Sequence, residues 1–176
     1  MSSTNYEIID NFLPGELFNP LQELVMSQRF PWFYRAEISY DNEKNSLNSY
    51  LSHFLYKDVP SEDCMEVRGE WSPHFKHFNP ILNFIPDFKS LLRMKVNFYS
   101  RTENLQVHEW HVDFDFPHTT ALIYFNNNDG YTEFEDGTKI ESIENRFVSF
   151  DGLIDHRSTN CTNQKARFNM NFNYVT

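Results

Sequence analysis

Lys165-Ala166-Arg167-Phe168-Asn169-Met170-Asn171-Phe172-Asn173-Tyr174-Val175 is the stretch on which the fold of this chain turns. Successive side chains of a strand point to opposite faces, so Arg167, Asn169, Asn171 and Asn173 share one face and Phe168, Met170, Phe172 and Tyr174 the other. One face is wholly polar and the other wholly apolar. Alternation alone favours an edge strand with one side in water. The alternative packs the apolar face under helices and uses the polar face to line a ligand cavity inside a barrel.

Working outward, the chain from residue 93 reads as a series of short strands: Arg93–Ser100, Leu105–Phe114, Thr119–Phe125, Thr132–Phe134, Thr138–Ile140, Arg146–Phe150 and His156–Asn160. Turn chemistry separates them at Asn126-Asn127-Asn128-Asp129-Gly130, Asp136-Gly137 and Asp151-Gly152. The first 90 residues differ in texture. Tyr6 to Phe12 reads as a short strand, and Pro14 to Gln28 carries Leu17, Leu21, Leu24 and Val25 at helical spacing. Phe30 to Ser39 is aromatic and extended, Leu47 to Tyr56 fits a helix, and Pro73 to Leu92 is helical but interrupted by Pro80 and Pro86. The expected fold is mostly β (α+β): a double-stranded β-helix, that is, a cupin-like jelly roll, with supporting N-terminal helices. Residues 1–176 are expected to form one domain, 1–92 supplying the support and 93–176 the jelly-roll core.

The chain has 176 residues, with 15 Lys and Arg against 25 Asp and Glu, a net charge of −10. Such a balance repels phosphate backbones and argues against general nucleic-acid binding. It favours a peptide, a free amino acid or a small cationic molecule as partner. No apolar run approaches membrane-spanning length, and the first residues lack the basic and apolar segments of a secretion signal. Cys64 and Cys161 form no metal-binding spacing and read as reduced thiols, consistent with a cytoplasmic location. The sequence leaves the oligomeric state open.

Seven histidines raise the question of a metal. In His111-Val112-Asp113, a strand would place an imidazole and a carboxylate on one side. A second imidazole from a distant strand would complete the two-His, one-carboxylate set that holds Fe(II) with three positions open. His156 is the natural candidate, being the one histidine C-terminal to His118. With 25 acidic residues among 176, a chain with seven histidines has such a triplet by accident about once, so the motif alone carries little. What gives it value is the order that follows: Gly130 and Thr132 in a turn, then His156, then Arg167 on a strand.

This ordered set resembles the Fe(II)- and 2-oxoglutarate-dependent dioxygenases, particularly their prolyl-hydroxylase-like branch, over residues 93 to 175. The matching residues are His111-Val112-Asp113, Ala121 to Asn126, Asp129 to Phe134, Asn145 to Asp151 leading to His156, and Arg167. The resemblance implies that His111, Asp113 and His156 bind Fe(II), that Arg167 pairs with the distal carboxylate of 2-oxoglutarate, and that Tyr124 and Tyr99 serve the same co-substrate. The loop before His111 is longer than in the family, so Phe98 or Asn97 could stand in for Tyr99. The chain also departs from the family at Gly130-Tyr131, where Gly-Gly is common, and at Asn169, where Ser or Thr is common. The implied activity consumes 2-oxoglutarate and O2, releases succinate and CO2, and hydroxylates a peptide side chain, an amino acid or a small molecule. A carboxylate at 113 argues against the halogenating variant. Two alternatives stand beside this reading. One is a cupin-like metal-binding enzyme without 2-oxoglutarate, which Arg167 and Tyr124 argue against. The other is a non-enzymatic β-sandwich binding module, which predicts no convergence of His111, Asp113 and His156.

Lesser candidates surround the motif. Asp115 either orients a metal ligand or faces substrate, and His118 either overhangs the metal or sits in solvent. Asn169 belongs to the polar stripe. His108 points away from His111 on a regular strand and reads as a surface residue. His74 and His77 have helical i, i+3 spacing without a third ligand in view. Lys44, Lys57 and Arg68 read as solvated charge.

Overall fold

Far from lying at an edge, the strand with the polar and apolar faces runs through the middle of the protein. The computed structural model describes residues 6–36, 49–58 and 70–176. Lys44, Cys64 and Arg68 lie outside them, as do residues 37–39 and 47–48 of two expected segments. The elements in order are β1 (Tyr6–Ile9), α1 (Gly15–Val25), β2 (Phe33–Arg35), β3 (Tyr50–Lys57), β4 (Glu70–Trp71), α2 (Phe75–Phe78), a 3-10 helix (Asn79–Phe84), β5 (Ser90–Ser100), β6 (Thr119–Tyr124), β7 (Tyr131–Phe134), β8 (Lys139–Glu141), β9 (Phe147–Asp151), β10 (His156–Ser158) and β11 (Ala166–Val175). An eight-stranded antiparallel sheet has the order β1-β9-β6-β11-β5-β3-β2, with β4 added on β3. A second sheet of three strands has the order β10-β7-β8. This is the expected jelly roll with helices on one side. Within it β11 pairs with β5 on one flank and β6 on the other.

Two cores explain the alternation. Phe168, Met170, Phe172 and Tyr174 of β11 join Met94 and Val96 of β5, and Ala121 and Ile123 of β6, in packing against Phe18, Leu21 and Val25 of α1 and against Phe78 and Ile81. Between the two sheets lie Leu122, Tyr124, Phe134, Ile140, Val148 and Phe150. Strand β6 thus feeds both cores, its odd and even residues going opposite ways. Burying a side chain such as Phe172 is worth roughly 1.5–3 kcal/mol, so the helical side of β11 holds the sheet to the N-terminal segment. Asn145 completes the attachment: its side chain accepts from the Leu13 N–H at 3.0 Å and donates to the Leu13 carbonyl at 2.8 Å.

Three local expectations are corrected. The segment from Tyr50 onward is not a helix but β3, paired with β5 from Leu51↔Phe98 to Lys57↔Arg93. Its apolar spacing suits either form, and pairing with a long central strand decides. The stretch 105–114 is not a continuous strand, forming only two isolated bridges, Val107↔Thr159 and His111↔His156. Beyond Phe84 the expected helix gives way, and from Ser90 the chain is already in β5.

Candidate metal centre and its cleft

The isolated bridge at His111 does what a full strand was expected to do. The His111 N–H donates to the His156 carbonyl and the His156 N–H to the His111 carbonyl, both at 3.0 Å. The two imidazoles therefore face each other, ring centroids 4.6 Å apart. Each ring holds its Nδ1 on a nearby backbone carbonyl, His111 on Glu109 at 3.2 Å and His156 on Ile154 at 3.0 Å. That contact fixes the tautomer and leaves both Nε2 lone pairs free, the arrangement metal-binding histidines require. One donor atom each from His111, Asp113 and His156 lie within 4.8 Å of one another.

Asp113 is held from the floor of the cleft. Its Oδ2 accepts from Asn171 Nδ2 at 3.0 Å and Asn173 Nδ2 at 2.9 Å, and Oδ1 pairs with the Arg93 guanidinium. Arg93 is itself aligned by Asn173 Oδ1 at 2.9 Å and Asn171 Oδ1 at 3.3 Å. Three partners occupy three of the four lone-pair directions of a carboxylate and leave one for a metal. Burial by itself would raise the Asp113 carboxyl, but Arg93, His156, Lys95 and His111 together hold it well below the usual carboxylate range. Burial pushes the His111 imidazole down to about 4, with His156 adding to the effect, and lowers His156 as well. The set is thus two neutral imidazoles and one carboxylate, ready to take a divalent ion.

Arg167 lies farther in, with 0% of its surface exposed. Its Nε donates to Ser142 Oγ at 2.7 Å, one terminal nitrogen to the Thr159 carbonyl at 2.8 Å, and the other to Thr132 Oγ1 at 3.2 Å. These are neutral acceptors using three of five N–H groups. Among the described residues no carboxylate pairs with it. A buried cation without a counter-charge is costly, so this guanidinium could accept an anion. Tyr124 donates to Thr132 Oγ1 at 2.9 Å, and the rings of Tyr99 and Tyr124 lie 5.7 and 5.4 Å from the guanidinium carbon. Burial raises both phenols despite Arg167, so both stay protonated donors.

One cleft is lined by His111, Asp113 and His156 together with Lys95, Asn97, Tyr99, Leu122, Thr132, Asn169 and Asn171, and Arg167 lies behind it, bonded to Thr132 and beside the Tyr99 ring. Asn169 and Asn171 of the β11 polar stripe line the cleft, with Asn173 bonded to Asp113 and Arg167 to Thr132 of its lining, so the cavity-lining alternative replaces the edge-strand reading. Of the lesser candidates, Asn169 lines the cleft and accepts from Asn97 at 2.9 Å. Asp115 is exposed and outside the cleft lining. His118 is neither overhanging nor solvated: it is buried, with Nδ1 on the Phe116 carbonyl at 2.7 Å, Nε2 near Thr120 Oγ1 at 3.1 Å, and its ring against Gly152. His74 and His77 stand 6.2 Å apart, ring to ring, and join no metal cluster among the described residues.

Sequence reasoning passed over Arg93 and Lys95. Their signal was present: Arg93, Lys95, Asn97 and Tyr99 alternate with Met94, Val96 and Phe98, the same code as β11. It also misplaced His108, which is 5% exposed rather than on the surface, its Nδ1 2.8 Å from Ser158 Oγ. Burial, with Arg167 and His111, pushes this imidazole down to about 3. In the unfolded chain it titrates near its ordinary value of about 6.5, so below that pH the unfolded state binds the extra proton. Stability is therefore lost as pH falls from about 6.5 toward 3, by about 2 kcal/mol at pH 5 from this group. Urea midpoints at pH 7 and pH 5 should show the fall, and His108→Gln should reduce it.

No protein-family model matches the chain, and no curated protein matches it in sequence. Its fold, however, is shared with several solved structures. An oxidoreductase of the 2OG-Fe(II) oxygenase family from Burkholderia pseudomallei superposes with a TM-score of 0.71 at 9% identity, covering 97% of this chain and 84% of that one. A prolyl hydroxylase from Trichoplax adhaerens, solved with a hypoxia inducible factor peptide fragment, gives 0.63 at 14% identity over 98% and 84%. The non-heme alpha ketoglutarate dependent epimerase SnoN from nogalamycin biosynthesis gives 0.62 at 10% identity over 98% and 78%.

Proposed function

We propose that this chain is an Fe(II)- and 2-oxoglutarate-dependent oxygenase. His111, Asp113 and His156 hold the metal, and Arg167 with Tyr124 and Tyr99 holds the distal carboxylate of 2-oxoglutarate. The observation that carries the reading is a cleft lined by two imidazoles and a carboxylate, with a buried guanidinium that lacks a carboxylate partner among the described residues bonded to Thr132 of its lining. Residues 1–176 act as one domain, and the protein works in the cytoplasm on a peptide, amino acid or small molecule.

Bound there, Fe(II) with 2-oxoglutarate and O2 supplies the oxidation: R–H, 2-oxoglutarate and O2 become R–OH, succinate and CO2. The chain supplies placement. The Glu109 and Ile154 carbonyls aim the two imidazoles, while Asn171 and Asn173 fix the carboxylate. The planar fork of Arg167 suits a bidentate contact that orients the co-substrate. Leu122 and the Tyr99 ring line the cleft, and the Phe150 ring packs against His156, centroids 5.0 Å apart.

Gly130 is what lets Arg167 lie where it does. A Cβ there would stand 2.3 Å from the Asn160 carbonyl oxygen and 2.6 Å from Arg167 Cδ. Gly130→Ala is expected to displace the guanidinium and weaken 2-oxoglutarate by about tenfold to a hundredfold, measured by titration of the Fe(II)-loaded protein.

Anaerobic protein given Fe(II) and then 2-oxoglutarate should develop a weak visible charge-transfer band. Metal binding without the band would leave only a metalloenzyme of another kind. Absence of metal binding would end the enzyme reading altogether. A screen for succinate release across free amino acids, peptides and nucleosides then identifies the substrate, and analysis of the product separates hydroxylation from other oxidations.

A further inference from the structure

Within the cleft, Lys95 has no assigned partner. It lies on β5 between Arg93 and Asn97, on the face that carries the site, and lines the cleft beside Asp113 and Asn171. Tyr50 and Phe54 flank its ammonium, ring centroids 5.7 and 5.8 Å away. Among the described residues it meets no carboxylate at ion-pair distance and donates no hydrogen bond. Asp113 is the one acidic side chain in the cleft lining, and Arg93 already pairs with it. One residue along the same face, Asn97 is 4% exposed; its Nδ2 donates to Asn169, but its Oδ1 is buried without any donor. The cleft therefore presents a lysine amine without an ion-pair or hydrogen-bond partner among the described residues and, i+2 from it, an unmatched acceptor.

We infer that Lys95 and Asn97 form a recognition site for a small acid whose carboxylate has a hydrogen-bond donor on the adjacent carbon, as in a free α-amino or α-hydroxy acid. The inference rests on the oxygenase reading and names its substrate class. The two carboxylates of 2-oxoglutarate are accounted for by Arg167 and by the metal, and neither offers a donor to Asn97 Oδ1. Leaving a buried acceptor unpaired is costly, a cost relieved by an amino or hydroxyl group and not by a plain carboxylate. Peptide backbones lack this pairing except at a C-terminus.

The test uses full-length protein loaded anaerobically with Fe(II) and 2-oxoglutarate, with thermal shift and calorimetric titration as readouts. The probes are the proteinogenic amino acids, lactate, propionate, and the primary amide of each acid. Binding of at least one amino or hydroxy acid is expected, about tenfold or more tighter than its amide. Lys95→Met should abolish that preference, with Lys95→Gln as a second variant should the first fold poorly. Propionate should bind more weakly than lactate, and Asn97→Leu should remove the difference. Equal binding of acid and amide, or no binding of any acid at millimolar concentration, overturns the inference. So does loss of the 2-oxoglutarate band in Lys95→Met, which would assign Lys95 to the co-substrate. Absence of that band in the unaltered protein is a separate result: it strikes the oxygenase reading, while acid binding through Lys95 would survive it.

Discussion

Arg167→Met is expected to fold and to lose 2-oxoglutarate affinity by about a hundredfold or more. Charge-assisted hydrogen bonds contribute about 1.5–3 kcal/mol each, and a bidentate contact loses two of them at once. Methionine keeps much of the apolar volume beside Tyr99 and Tyr124, so the packing loss is smaller than for alanine. Removal of an unpaired buried cation offsets part of the cost of leaving the Ser142, Thr132 and Thr159 acceptors bare. Arg167→Lys preserves the charge without the planar fork and should recover only part of the binding. Titration of 2-oxoglutarate against Fe(II)-loaded variants, with urea midpoints alongside, separates the effects. Equal affinity in Arg167→Met and the unaltered protein would remove Arg167 from the co-substrate site.

Asp113→Ala is expected to cost more than binding. The carboxylate neutralises Arg93, and both side chains are under 10% exposed. Breaking a buried ion pair from one side typically costs 3–5 kcal/mol, because the remaining charge is stranded. Asn171 and Asn173 would also lose their acceptor. Iron binding should fall by more than the roughly 10–100-fold that removal of a supporting contact costs. Asp113→Asn retains the shape and should recover some stability without recovering the metal. The double variant Asp113→Ala with Arg93→Met should be more stable than Asp113→Ala alone. Metal titration and chemical denaturation of the set measure both effects, and an unchanged denaturation midpoint in Asp113→Ala would contradict the pairing with Arg93.

The parts of this structure legible in the sequence are those governed by period two. The strands from Thr119 onward fall within a residue or two of where alternation and the Asp-Gly turns put them. The candidate metal cluster was legible through chemistry, since His111, Asp113 and His156 do come together, and Arg167 lies behind their cleft on Thr132. Strand β3 was not legible, because Tyr50, Leu51, Phe54 and Leu55 suit a helix as well as a buried strand, and only β5 beside them settles it. The segment bearing His111 was misread for a different reason. A regular strand would have aimed Asp113 by pleat alone; here two backbone hydrogen bonds fix His111, and the carboxylate is drawn to Arg93 and the asparagines of β11. Such contacts join residues far apart in the chain, and no local pattern announces them. Arg93 and Lys95 escaped notice because lysine and arginine ordinarily mark solvent, a habit that fails on a strand flanked on both sides.

The central position of β11 has a consequence for how the chain must assemble. Since its two faces are opposite in character and both are buried, sliding it by one residue between β5 and β6 would turn four aromatic or aliphatic side chains into the cleft. The same slip would drive one guanidinium and three amides into the helical core. No partly misaligned form could remain folded with a merely weakened site. Correct alignment of this one strand is a single event that creates the hydrophobic core and the polar cleft together, so quality control of folding is also quality control of the site.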